Sequence, residues 1–165
     1  MQIAGLVHDS IVDGPGLRFV VFVQGCKLCC AGCHNQETWD PAGGFKMQVD
    51  GIIKNMRQNP LTDGLTLTGG EPFLQAADCA SLAAVAREMG FNVWVYTGNV
   101  FEDILETAYH DPGVSEFIKH IDVLVDGRYI MEERTLSRKW RGSKNQRLID
   151  VRKSLKEDKA VLLDL

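Results

Sequence analysis

The apolar, β-branched run Phe19-Val20-Val21-Phe22-Val23 ends at Gln24-Gly25, and four of the chain's five cysteines come at once after it: Cys26, Cys29, Cys30 and Cys33. Such a run reads as a buried strand. The fold must therefore deliver a sheet strand whose end opens into a cysteine-dense loop. Loops of this kind carry chemistry because the rigid sheet positions them. Met1 to Ser10 shows neither the basic start nor the apolar stretch of a signal peptide. That points to a cytoplasmic chain, in which clustered thiols serve as metal ligands or redox groups rather than as disulfides.

The same strand-then-loop pattern recurs. Met1 to Ile11 reads as a short edge strand, and Asp13-Gly14-Pro15-Gly16 as a tight turn before a strand over Leu17 to Gln24. Thr38 to Phe45 reads as a loop. Val49, Ile52, Ile53 and Met56 share one helical face, and Asn59-Pro60 closes that helix. Gly64 to Leu67 is a second strand that runs into Thr68-Gly69-Gly70-Glu71-Pro72. A helix over Leu74 to Met89, a strand over Asn92 to Tyr96 with the exit loop Thr97-Gly98-Asn99, and a helix faced by Phe101, Ile104, Leu105 and Ala108 come next. Asp111-Pro112-Gly113 breaks that helix, and Ile121 to Val125 is a fourth strand leaving through Asp126-Gly127-Arg128. Beyond it the pattern weakens, with a short strand at Leu148-Ile149 and a basic helix over Val151 to Asp158.

Strands alternating with amphipathic helices imply α/β architecture with parallel βα units. Every polar, glycine-bearing loop falls after a strand and before a helix, which in barrel-type folds is the face that builds the site. Four units are too few to close an eight-stranded barrel. The expectation is a single domain over residues 1–165 forming an open, incomplete parallel (β/α) barrel. A chain of 165 residues with 45% hydrophobic content can bury a core without staples. No apolar run approaches the ~20 residues of a membrane span. The net charge of −4 is uneven: Asp126 to Ala160 carries 11 basic and 6 acidic residues. A basic third of this kind fits nucleic acid, an acidic partner, a nucleotide-like ligand or a plain solvated surface.

The cysteine loop permits two ligand sets. Cys26, Cys30 and Cys33 give C-x3-C-x2-C; adding Cys29 gives two abutting C-x2-C pairs. The second set looks like zinc, but zinc ribbons separate their pairs, and adjacent cysteines reach one tetrahedral ion poorly. Three thiolates would leave one iron of a 4Fe–4S cluster open to a substrate. Gly69-Gly70 admits close backbone approach. Glu71 puts a carboxylate in that loop, while a glycine turn before a helix with Pro72 at its first position is the plain alternative. His34 reads as a support for the metal loop or as an exposed histidine. Asn99 reads as a cofactor contact or a helix N-cap. Asp126 and Arg128 fit the site, a partner surface or an ion pair; Ser143 and Asn145 fit cofactor or partner contacts. Cys79 and Trp94 read as core.

Cys26-x3-Cys30-x2-Cys33 resembles the cluster motif of the radical S-adenosylmethionine enzymes, and Gly69-Gly70-Glu71-Pro72 resembles their GGEP motif. Val12-Asp13-Gly14-Pro15-Gly16-x-Arg18, Gln24-Gly25-Cys26 and Cys33-His34-Asn35 are similar to the glycyl-radical-enzyme activases. Asp122 to Arg128 and Arg141-Gly142-Ser143-x-Asn145-Gln146-Arg147 are similar to the branch serving the anaerobic ribonucleotide reductase. The resemblance runs from about Ile11 to Val151. It implies a radical-S-adenosylmethionine-type open barrel, shortened, and a 4Fe–4S cluster on Cys26, Cys30 and Cys33. It further implies S-adenosyl-L-methionine held at the Gly69–Pro72 loop, with His34 and Asn99 as further cofactor contacts. The implied activity is installation of a glycyl radical in the large subunit of the anaerobic ribonucleoside-triphosphate reductase. A flavodoxin-type one-electron donor is the second implied partner, with no nucleic acid and no membrane. Two departures stand out. Gly32 occupies the place where many of these enzymes carry an aromatic residue, and Cys29 is an additional thiol. The alternatives are an activase of the pyruvate formate-lyase type and a non-catalytic zinc or iron–sulfur protein.

Overall fold

The computed structural model describes residues 1–164. One seven-stranded sheet carries five α-helices. Its strands are β1 (Gln2–Ser10), β2 (Arg18–Val23), β3 (Phe45–Lys46), β4 (Gly64–Gly69), β5 (Asn92–Tyr96), β6 (Val123–Asp126) and β7 (Arg147–Asp150). The order across the sheet is β3-β1-β2-β4-β5-β6-β7. β2, β4, β5 and β6 run parallel, while β1, β3 and β7 are antiparallel additions.

The α/β class is as the sequence predicts, but the sheet is mixed. The connection from β1 to β2 is one short turn through Gly14-Pro15-Gly16, which permits only an antiparallel neighbour. β1 is also not the edge: the two-residue β3 lies outside it. At the other side β7 returns along β6 without a helical crossover.

The helices are α1 (Val49–Met56), α2 (Ala76–Glu88), α3 (Phe101–Ala108), α4 (Pro112–Lys119) and α5 (Val151–Glu157). They pack on one sheet face, where Phe19, Val21, Leu65, Leu67, Val93 and Val95 meet Ile52, Leu82 and Phe117. The other face turns the alternate side chains, Trp94, Val123 and Val125, against Leu148 and Trp140. Both faces of the central strands are thus covered, which is why β2 reads as unbroken apolar sequence. The Asp111-Pro112-Gly113 break also starts α4: the Asp111 side chain caps Gly113 and Val114 N–H, with Pro112 at the first position. Among the described residues no helix is long and apolar enough to cross a membrane.

Register fixes the site. Val23 pairs with Gly69, and Leu67 with Val95. The exits of β2, β4 and β5 therefore lie side by side, and three loops leave one edge of the sheet together.

Candidate metal and cofactor site

A cleft of about 260 Å³ opens between these loops. The cysteine loop contributes Cys26, Cys30, Cys33 and His34 to its wall. Gly69, Gly70 and Glu71 come from the exit of β4, and Tyr96 to Gly98 from that of β5. Tyr129 closes the side after β6, and Asp13 projects from the turn before β2. Cys29 is exposed and does not line the cleft; its backbone takes a left-handed φ of 46°. Cys26, Cys30 and Cys33 thus share one space, and Cys29 lies outside it. Among the described residues no three His, Cys, Asp or Glu side chains converge tightly enough to hold a single metal ion. Burial pushes the Cys26 thiol up, against the pull of the Leu28 and Cys29 N–H groups.

The glycine pair is there for the protein's own backbone. Gly70 N–H donates to Val23 O and Glu71 N–H to Gly25 O, each at 2.8 Å. A Cβ on Gly69, at φ 93°, would stand 2.9 Å from Phe22 Cα, and one on Gly70 would collide with Gly25 O. These contacts stitch the β4 exit to the root of the cysteine loop, an approach that only glycine allows.

Glu71 is 3% exposed, and its carboxylate is fully used. It accepts from Phe73 N–H at 3.1 Å, from Gly98 N–H at 3.0 Å, and from the Thr97 hydroxyl at 2.9 Å to each oxygen. Burial raises its pKa while those donors oppose the rise. The side chain ties two loops together. Pro72 is buried behind it at the first position of a 3₁₀ turn, Pro72–Gln75.

The other candidate residues divide. His34 lies on the cleft, its ring 5.4 Å from that of Tyr129. Asn99 lines the adjoining grooves instead, and its side chain donates to Thr97 Oγ. Nor is it the N-cap of α3: Val100 holds that position, and Asp126 from β6 accepts the Phe101 N–H at 2.8 Å. Asp126 is wholly buried and also accepts from Arg147, which binds Glu102 as well. The Asp126 reading resolves to an ion pair and a helix cap, not a site carboxylate. Arg128 is exposed. Ser143 Oγ accepts from Ile130 N–H, and Asn145 donates to Arg128 O. Gln146 binds Gly142 N–H, Ser143 N–H and Gly127 O, so the Arg141–Arg147 segment braces the β6 exit. Cys79 and Trp94 are core.

Sequence reasoning missed Tyr96, Thr97, Tyr129 and the turn residue Asp13. The first three sit at strand exits, and that position was the available signal. Gly32 also finds its reason. Its φ is 72°, and a Cβ there would lie 2.6 Å from Met131 Sδ. Below the site Arg18 is entirely buried, donating to Thr66 Oγ at 3.0 Å, to Leu65 O at 2.6 Å and to Asn92 Oδ1. Burial lowers its pKa to about 10. Thr66 in turn donates to Asp13 O, so this arginine anchors the turn that reaches the cleft.

The architecture and the thiol loop define an iron–sulfur protein of the α/β class, and residues 12–149 match the family model described as a 4Fe-4S single cluster domain. The chain is 38% identical to the anaerobic ribonucleoside-triphosphate reductase-activating protein of Enterobacteria phage T4, covering 84% of this chain and 87% of that one. It is 35% identical to the protein of the same name from Vibrio cholerae, over 83% and 90%. The pyruvate formate-lyase-activating enzyme of Clostridium pasteurianum is 37% identical over 73% of this chain but only 55% of its own length. The chain belongs to the family of anaerobic ribonucleoside-triphosphate reductase-activating proteins. Its residues fit the cluster that the family model describes. Three half-buried thiols face one cleft, the fourth faces away, and the facing wall is glycine backbone that leaves room for a ligand.

Proposed function

We propose that this chain activates an anaerobic ribonucleoside-triphosphate reductase by generating a glycyl radical in its large subunit. The observation that carries the reading is the shared cleft of Cys26, Cys30 and Cys33 with the Gly69–Gly70 loop. A 4Fe–4S cluster, held by Cys26, Cys30 and Cys33, would supply the electron for reductive cleavage of S-adenosylmethionine, the radical chemistry that glycine activation requires. The protein's part is to bind, orient and exclude. Cys26, Cys30 and Cys33 hold the metal. The carbonyls of the Gly69–Glu71 loop face the ammonium of the methionine moiety. Glu71 and Thr97 keep that loop and the Gly98 loop in register, and His34 with Tyr129 closes the aromatic side.

The sheet, with parallel strands at its centre and the site at their ends, is read as a shortened, open barrel of the radical S-adenosylmethionine type. Its open side admits a peptide segment of the reductase. The setting is the cytoplasm, the electron source is a flavodoxin-type protein, and neither nucleic acid nor membrane takes part. The relatives that act on the reductase match over most of their length, whereas the pyruvate formate-lyase activase is nearly twice as long as its match.

The test is anaerobic. After reconstitution with iron and sulfide and reduction, the electron paramagnetic resonance spectrum is recorded with and without S-adenosylmethionine. A 4Fe–4S signal that changes on addition, with methionine and 5′-deoxyadenosine released and a glycyl radical appearing on added reductase, is the expected result. Zinc without sulfide, or a cluster indifferent to S-adenosylmethionine, overturns it.

A further inference from the structure

Residues 127–147, which join β6 to β7, carry seven Lys or Arg and two Glu, leaving −9 for the rest of a chain whose total is −4. Only Arg147 of the seven is in an ion pair among the described residues. Arg128, Arg134, Arg138, Lys139 and Lys144 stand exposed. This is no loose tail. Thr135 N–H donates to Gly142 O at 3.0 Å, Lys144 N–H to Glu133 O at 2.9 Å, and Gln146 fastens the segment to Gly127. The segment is a rigid strap, and it is seated on the cysteine loop, with Met131 against Gly32 and Tyr129 against His34. On that loop Lys27 and Cys29 face solvent while Cys26, Cys30 and Cys33 face inward.

Arg138 meets only the Lys144 carbonyl and Lys139 only the Trp140 ring; cations held together without carboxylate partners repel one another, and their natural complement is an external acidic surface. Their place decides which one. The strap touches the metal loop through Met131 and Tyr129, and although its Gly127, Tyr129, Gly142 and Gln146 line the cleft in which the glycine is to react, none of its seven cations does. One-electron reduction needs a donor brought close to the metal. We propose that the strap 127–147, with Lys27, is the docking surface for an acidic one-electron donor protein. The inference rests on the activase reading above. The donor loses one electron, the bound cluster gains it, and no proton or heavy atom moves. Leu136, 91% exposed, and Met131, 54% exposed, stand among the cations. Such an apolar element within a polar rim suits a protein surface better than a nucleic acid.

The experiment uses the reconstituted holoprotein and reduced flavodoxin as the acidic donor. It reads both the Kd of the pair and the rate of cluster reduction, at about 0.02 M and about 0.5 M salt. Screening shortens the reach of charge to a few ångströms at the higher value. Wild-type affinity and rate fall about tenfold or more with salt. Arg134→Glu/Lys139→Glu/Lys144→Glu shows the high-salt values already at low salt, while dithionite reduces both proteins equally. Unchanged flavodoxin affinity and rate in the triple variant overturns the proposal. So does a variant that keeps flavodoxin but loses the reductase or a bound oligonucleotide. Wild type with no dithionite-reducible cluster defeats the activase reading instead, and the flavodoxin Kd still decides the surface.

Discussion

Replacing Glu71 with alanine removes the acceptor of three donors at once: Phe73 N–H, Gly98 N–H and the Thr97 hydroxyl. A buried donor left without a partner costs about 1–3 kcal/mol. The hydroxyl can rotate toward another acceptor, so it counts at the low end, and the two fixed N–H groups carry most of the loss. Relief of the carboxylate's own burial offsets part of it, since that burial is what raises its pKa. The net expectation is a loss of about 3 kcal/mol for Glu71→Ala and about 1 kcal/mol for Glu71→Gln, which keeps one oxygen. Urea unfolding of the cluster-free chain at pH 7 measures both. The pH dependence has a definite sign. The folded pKa lies above the ordinary 4.5, so the stability that Glu71 contributes is fully present below 4.5 and declines as pH rises through the folded value. Glutamine has no such proton. The gap between wild type and Glu71→Gln therefore narrows as pH climbs through that window. A gap that widens, or an alanine variant within about 0.5 kcal/mol of wild type, refutes the account of Glu71 as a buried tie between loops.

Cys29→Ser retains its iron and sulfide after reconstitution, whereas Cys30→Ser loses the cluster, as read by iron content and visible absorption. Gly98→Ala places a Cβ against the Leu28 side chain; overpacking of this kind costs about 1–3 kcal/mol, and calorimetry shows weaker S-adenosylmethionine binding. Asp126→Ala strips α3 of its cap and frees one side of Arg147, and Glu102 remains to hold that arginine. The expected loss in thermal or urea unfolding is about 3 kcal/mol, the low end for a broken buried pair. Arg18→Met leaves Thr66 Oγ and Leu65 O without a donor and destabilises by about 2–4 kcal/mol. Arg18→Lys rescues only part of this, because one ammonium cannot replace the guanidinium fork.

The parallel centre was legible because β2, β5 and β6 are mostly apolar runs, β4 alternates leucine with threonine, and each ends in a glycine loop. β5 spans Asn92–Tyr96, the same residues that the sequence pattern delimits. Of the antiparallel additions, β1 and β7 were legible as short strands at Met1 to Ile11 and Leu148-Ile149, though not their direction, and only β3 was hidden. β3 is two exposed residues with no pattern to read. β7 is short and comes after an irregular strap whose hydrogen bonds run to backbone atoms far away in sequence. α4 was missed although Val114, Phe117 and Ile118 carry the helical spacing, because Asp-Pro-Gly reads as a stop until the aspartate is seen to cap a new helix. In the site, the spacing of Cys26, Cys30 and Cys33 set them apart from Cys29, and the structure turns Cys29 outward. Glu71 was legible as important but not as a tie, since its partners Thr97 and Gly98 lie a whole βα unit later.

The cleft is walled by three thiols, His34, Asp13, Tyr96 and Tyr129 together with glycine backbone, and Glu71 serves there as a tie between loops. Gly69, Gly70 and Gly98 lie on it, and Gly25 and Gly32 stand at the cysteine loop, each packed within contact of another loop's atoms. Of the carboxylates on it, Glu71 is held by loop donors and Asp13 accepts from the Ser10 hydroxyl, while behind it Asp126 is held by a helix end and Arg147, and Arg18 by carbonyls beneath the turn. A wall whose loops are tied to one another in this way is a rigid one. It can hold a reactive group in a fixed place and keep water and stray protons from it. Such a site suits chemistry supplied by a bound cofactor, and it predicts that variants which loosen the loops do more harm than variants which alter any one polar group on the cleft.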